Sequence, residues 1–239
     1  MSLTGNLAAG VISSLIAIVL VEIYQLMRKD LVQRPLRKVF GSSGRRAVLV
    51  PKFPGSGPDL LDTHDAIALA HVLSVLNKFR ISADVLSSEH VPDQIPADLI
   101  CIGGWSGNSA TAFFMQRYCP GFSTRGDNKE GGSHRTTYYE AGGKVFIDED
   151  DDRWGFIVKL SPAHTGLSGT VLLLWGHDRI GTAAAAFFAT QYASKLSKLN
   201  QDAFFVAVRS NAKLGYRNVQ LAPIDISTSV FAPSKVVSD

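Results

Sequence analysis

Cysteine is scarce: Cys101 and Cys119 are the only two in 239 residues, and no C-x-x-C pair occurs. That excludes a disulfide scaffold and zinc-ribbon spacings and fits two reduced thiols in a cytosolic domain. Charge is thin as well, at 19 % of residues, below the roughly 25 % usual in soluble domains. A 46 % apolar content nevertheless excludes a disordered chain. Neither a G-x-G-x-x-G fingerprint nor a Walker A lysine motif is present. The net charge of +3 is concentrated: residues 1–46 hold seven Lys/Arg against Glu22 and Asp30, and the remainder holds 17 basic against 19 acidic side chains. A domain that binds duplex nucleic acid needs a basic face, and residues 47–239 supply none, so no such partner is expected.

What the chain does have is one long apolar run. Leu7 to Met27 carries a single charged side chain, Glu22, over 21 residues. About 20 apolar residues span a bilayer core, so residues 1–27 are expected to form a transmembrane helix. Residues 1–6 have no charged side chain, against the positive n-region of a cleaved signal peptide. Arg28, Lys29, Arg34, Arg37 and Lys38 follow the run, which by the positive-inside rule places that flank, and the C-terminal domain, in the cytosol. The expected location is the inner membrane, single pass, with the bilayer as a partner. Gly10 and Ser14, like Ala9 and Ser13, form small-xxx-small pairs that permit helix association and a homo-oligomer. Glu22 is a candidate functional carboxylate near the cytosolic end. Residues 28–45 read as a basic juxtamembrane linker in which Pro35 stops the helix and 41–44 (Gly-Ser-Ser-Gly) form a hinge.

Residues 46–222 alternate strands and helices. Apolar runs at 47–50, 99–102 and 171–175 fit strands buried on both faces. Helical spacing marks a helix beginning near Asp65, a second over 109–118 and an Ala-rich third ending near Leu199. Thr136–Glu140 and Lys144–Ile147 flank Ala-Gly-Gly, a hairpin signal, while 120–134 reads as a loop and 223–239 as a ragged tail. The expected fold is α/β: a Rossmann-like, largely parallel sheet with helices on both faces and an antiparallel hairpin insertion.

Two buried strands end in glycine turns that open helices. The first carries Gly103, Gly104, Ser106, Asn108 and Ser109; the second carries His177, Asp178, Arg179, Gly181 and Thr182. In open α/β sheets ligands bind outside the carboxyl ends of strands, and helix N-termini attract phosphate. With His64 at the same rim, these residues form the expected site for a phosphate-bearing ligand. Gly104–Asn108 also partly matches the G-x-S-x-G nucleophile elbow, with Asp148 or Asp152 and His164 or His177 as later partners. The catalytic residues are left open. Asp148–Asp152 lacks the glycine and terminal glutamate of a calcium loop, and it reads as a solvated hairpin tip. No metal and no resident cofactor is expected.

On the turns LICIGGWSGN and LLLWGHDRIGT, together with the apolar run before them, the chain resembles bacterial membrane effectors that join a span to a nucleotide-sensing CARF or SLOG domain in phage defence. The resemblance covers about residues 46–222. It implies a sensor that oligomerises and passes a nucleotide signal to the membrane. Ala183 and Ala184 follow Gly181-Thr182 without the catalytic glutamate of the SLOG pattern, so the resemblance does not extend to phosphoribohydrolase chemistry. A membrane-tethered enzyme acting on nucleotides or glycosidic bonds, and a ligand-free scaffold module, are the alternatives.

Overall fold

The computed structural model describes residues 19–25, 27, 31, 33–41, 45–51, 61–88, 98–126, 137–141, 143–199, 202–220 and 223–232. Three apolar strands form the centre: β1 (Arg45–Val50), β3 (Asp98–Ile102) and β8 (Val171–Gly176). Every residue of β3 and β8 is buried, the pattern of strands covered on both faces. They run parallel, with β2 (Ser82–Ser87) added parallel on the outer edge of β1. Beyond β8 the sheet turns antiparallel through β7 (Asp152–Leu160), β9 (Phe204–Asn211) and β10 (Gly215–Val219), in the order β10-β9-β7-β8-β3-β1-β2. β11 (Ile224–Asp225) also pairs with β9.

The sheet is therefore mixed, and antiparallel pairing is not confined to an inserted hairpin. The hairpin itself forms from β5 (Thr137–Ala141) and β6 (Lys144–Phe146), but belongs to a separate three-stranded sheet with β4 (Phe122–Gly126), in the order β4-β5-β6. β4 lies where the sequence reads as loop. Its Phe122 is buried among Trp175, Phe156 and Phe205, and this long-range packing has no trace in local periodicity.

One sheet face is covered by α1 (Thr63–Lys78) and α4 (Arg179–Gln191). Val72, Leu76 and Phe188 pack there against Val48, Ile100, Leu172 and Val206. Ala183–Ala186 are fully buried, and this run of small side chains lets α4 lie close to the strands. The opposite face is covered by α2 (Ser109–Tyr118), the small sheet and α6 (Ser227–Phe231). Ile226 and Val230, with 4 % and 0 % exposure, are core residues. Residues 223–232 are thus part of the domain, not a ragged tail; one buried turn is too short to show helical periodicity. Short helical turns α3 (Pro162–Thr165) and α5 (Ala193–Leu196) complete the fold.

The linker reading is also corrected. Residues 33–40 are helical through Pro35, with Val39 and Phe40 buried against the α1–α4 layer. Burial of the two side chains, each contributing about 1.5–3 kcal/mol, holds a helix that proline weakens. Gly41 ends it at φ +93°, donating its N–H to the Arg37 carbonyl and receiving Arg46 Nη2 on its own carbonyl at 2.7 Å. Arg46 is 1 % exposed beside Asp98, so Gly41 is fastened to the domain; residues 42–44 of the expected hinge lie outside the described residues. Most of Leu7–Met27, including Gly10 and Ser14, lies outside them as well. Among the described residues no helix is long and apolar enough to cross a membrane. The helical stretch 19–25 exposes Val19, Leu20, Val21, Ile23 and Tyr24, and it includes Glu22.

Candidate functional site

Strand order reverses between β1 and β3: the chain leaves β1 toward β2 on one side, then returns to β3 on the other. A crevice opens at such a switch point, outside the carboxyl ends of the strands. Here it is a cleft of about 560 Å³ lined by Pro51 after β1, Gly104–Gly107 after β3, and Gly176–Ile180 with Thr182 after β8. Asp62, His64 and Asp65 at the start of α1 form a further wall, and Tyr139 of β5 closes the side toward the small sheet.

Seven expected site residues therefore line one cleft: His64, Gly104, Ser106, His177, Asp178, Arg179 and Thr182. Four do not. Gly103, at φ +100°, turns the chain over Pro51. Asn108 is fully buried; its Nδ2 donates to the Leu49 and Ile102 carbonyls, and its Oδ1 accepts the N–H groups of Ala110 and Thr111. Ser109 donates its hydroxyl to the Ser88 carbonyl at 2.7 Å. A Cβ on Gly181 would overlap the Trp154 carbonyl, so this glycine serves the close approach of α4 to β7.

These contacts revise how the cleft would hold an anion. The first-turn amides of α2 are taken by Asn108. At α4 the Asp178 carboxylate caps the helix, accepting the Gly181 N–H at 2.7 Å. Each helix N-terminus is thus capped by its own side chain, at two amides of α2 and one of α4, and the second carries a negative charge. Among the described residues that line the cleft, the cation is Arg179, whose Nη1 lies 2.7 Å from Asp62 Oδ2. Asp62 caps α1 through the His64 N–H at 2.9 Å, so the Arg179–Asp62 pair ties the first turns of α1 and α4 together across the rim. Arg153 bridges behind the cleft, with Nε 3.0 Å from Asp178 Oδ2 and 3.9 Å from Asp148 Oδ2.

His177 is held by a second carboxylate. Its Nδ1 lies 2.8 Å from Asp148 Oδ2, while Trp154 N–H donates to Asp148 Oδ1 at 3.0 Å. The ring meets Tyr139 edge-on at 5.0 Å. Burial, with the Asp148 charge adding to it, pushes the Tyr139 hydroxyl up to about 12. At the start of α1, burial and then the charge of Asp62 raise the Asp65 carboxyl to about 6, against the opposing pull of Arg179 and His64. Asp148–Asp152 is only in part a solvated tip: Glu149 and Asp150 are exposed, whereas Asp148 is 11 % exposed, Asp152 pairs with Arg209 at 2.9 Å and Asp151 with Lys213 at 2.7 Å.

The elbow geometry is absent. Arg80 and Asp150 are the non-glycine residues with positive φ among the described residues, and Ser106 is not one of them. The strained backbone that presents a nucleophilic serine is therefore not built. Among the described residues no cluster of three His, Cys, Asp or Glu side chains is placed to hold a metal. Asp62, Asp65, Trp105 and Tyr139 are cleft residues outside the expected set. Asp62 was legible as a helix cap and Asp65 as a first-turn acid on the same rim as His64, whereas Tyr139 arrives from a distant strand with no local signal. No protein-family model, no curated protein and no solved structure matches the chain, so the chemistry of the cleft rests on its own residues.

Proposed function

We propose that the protein is a membrane-tethered, nucleotide-binding sensor whose cleft holds a phosphate-bearing ligand. The observation that carries this is the coincidence of the 560 Å³ cleft with the switch point of the sheet. Arg179 at its rim is the cation for the phosphate, with two α2 amides taken by Asn108 and one α4 amide by Asp178. Asp65 suits a hydroxyl of a sugar, as acceptor of its proton. Trp105 and Tyr139 give apolar surface for a planar ring.

An incoming phosphate competes with Asp62 for Arg179. Ligand binding thereby loosens the tie between the first turns of α1 and α4. The layer beneath these helices also holds Val39 and Phe40 of the N-terminal helical segment, which supports a path from cleft to membrane. The run Leu7–Met27 inserts in the bilayer in this reading, and the response is that of a homo-oligomer associated through Gly10 and Ser14. Calorimetric titration of the full chain in detergent with nucleoside mono- and diphosphates tests the ligand assignment. Saturable binding weakened about tenfold by Arg179→Ala is expected, since a charged hydrogen bond is worth about 1.5–3 kcal/mol. No heat with any nucleotide, or binding indifferent to Arg179→Ala, overturns it.

A further inference from the structure

We propose that the helical segment 33–40 docks its exposed basic face on the anionic lipid headgroups of the bilayer. The bilayer is taken from the membrane-tethered reading; the docking face comes from the segment itself. Its apolar side is already occupied: Val39 and Phe40 are buried in the α1–α4 layer and Leu36 packs against it. Arg34, Arg37 and Lys38, spaced i, i+3 and i+4, are exposed on the remaining side, and residues 33–40 contain no acid. Arg37 Nη2 donates to Gln33 Oε1 at 2.9 Å, so Arg34 and Lys38 are the cations assigned to lipid.

Charge and position select the occupant. Residues 28–38 hold five Lys/Arg against Asp30, a density that suits a juxtamembrane segment to an anionic leaflet. Arg34 is seven residues beyond Met27, where the apolar run ends. At 1.5 Å per helical residue that is about 10 Å, close to the Debye length of about 8 Å at physiological salt. Met27 and Leu31 are 61 % and 66 % exposed, so the domain leaves both open to the interface. Lys159, half-buried at the end of β7, extends the basic surface. Burial lowers its ammonium and the nearby charge of Lys38 adds to the fall, with Asp202 and Asp98 opposing; the exposed Asp202 partly offsets these cations. Lys38 leads into Gly41, whose carbonyl holds the buried Arg46 at the amino end of β1. The cleft opens beyond the carboxyl end of that strand, at Pro51, so lipid at Lys38 leaves it accessible to ligand.

The test reconstitutes the full chain in nanodiscs of phosphatidylcholine alone or mixed with phosphatidylglycerol, and follows acetylation of single lysines by mass spectrometry. A basic side chain near an anionic surface favours it about fivefold, so Lys38 should be acetylated about three- to fivefold more slowly in the anionic discs. Lys144, exposed on β6, is the internal reference and should not change. Protection should vanish near 1 M salt, where the Debye length is about 3 Å. As a second readout, the wild type extracted in mild detergent should retain phosphatidylglycerol at least about twofold above its bulk share. Arg34→Gln combined with Lys38→Gln should abolish that excess. A thermal melt checks that the double variant folds, and its nucleotide binding should be unchanged because neither residue lines the cleft. Equal acetylation of Lys38 in both discs, protection that persists at high salt, or a lipid excess that survives the double substitution overturns docking and leaves the tether and nucleotide readings standing. Protection that grows with protein density in neutral discs assigns the face to a second copy and overturns lipid docking as well. A chain that incorporates into neither disc overturns the tether and the docking together.

Discussion

The two glycine turns look alike in sequence and do opposite work. After β3, a Cβ on Gly104 or Gly107 would meet its nearest neighbour at 3.5 Å, ordinary contact, so this turn leaves room above the strand. After β8, a Cβ on Gly176 would overlap the Gly181 backbone, and one on Gly181 would overlap Trp154. There glycine lets helix and sheet backbones touch. What the second turn presents to the cleft is its polar stretch, His177-Asp178-Arg179. Glycine at a strand end thus marks either space for a ligand or absence of space, and only the neighbour across the turn distinguishes them.

The largest test of that contrast is a matched pair of substitutions. Gly181→Val should cost more than about 3 kcal/mol and prevent cooperative unfolding, because backbone, not a side chain, must move. Gly104→Ala should change stability by less than about 1 kcal/mol while weakening nucleotide binding. Denaturant titration of both variants decides. A stable Gly181→Val protein would mean that α4 does not sit against β7 as described.

A smaller effect separates the rim from the floor. Asp62→Asn should strengthen nucleotide binding severalfold, since it removes the competitor for Arg179 while an Asn can still cap α1. Weaker binding would instead make Asp62 a direct ligand partner. Calorimetry distinguishes these.

The smallest effect is one of pH. The folded-state Asp65 carboxyl is raised from 3.8 to about 6, so folding takes up a proton between those values and stability falls as pH rises through 6. Because Asp65 is only partly buried, solvent screening leaves about 1 kcal/mol. Asp65→Asn should therefore raise the melting temperature by about 2–4 °C at pH 8 and by nothing near pH 4. Thermal melts at the two pH values check this, and an equal gain at both would assign the effect to packing.

Much of the parallel half of the sheet was legible in the sequence. Runs such as Val-Leu-Leu-Leu-Trp at 171–175 leave no face for solvent, and helices with apolar residues at helical spacing follow. The rim that joins His64 to the glycine turns was legible by the same logic. Phe122 and Tyr139 were not, because their burial comes from strands far along the chain. Nor was Asn108, whose side chain satisfies two strand carbonyls and two helix amides at once. A polar residue at a turn signals a ligand donor and an internal brace equally well.

The most direct test of the central claim is amide hydrogen exchange of the full chain in detergent, with and without a saturating nucleoside monophosphate. Binding in the switch-point cleft predicts slowed exchange at 104–107 and at 177–182, with the amides of β9 and β10 unchanged. Protection confined to other segments, or none at a nucleotide concentration that saturates calorimetric binding, would contradict it.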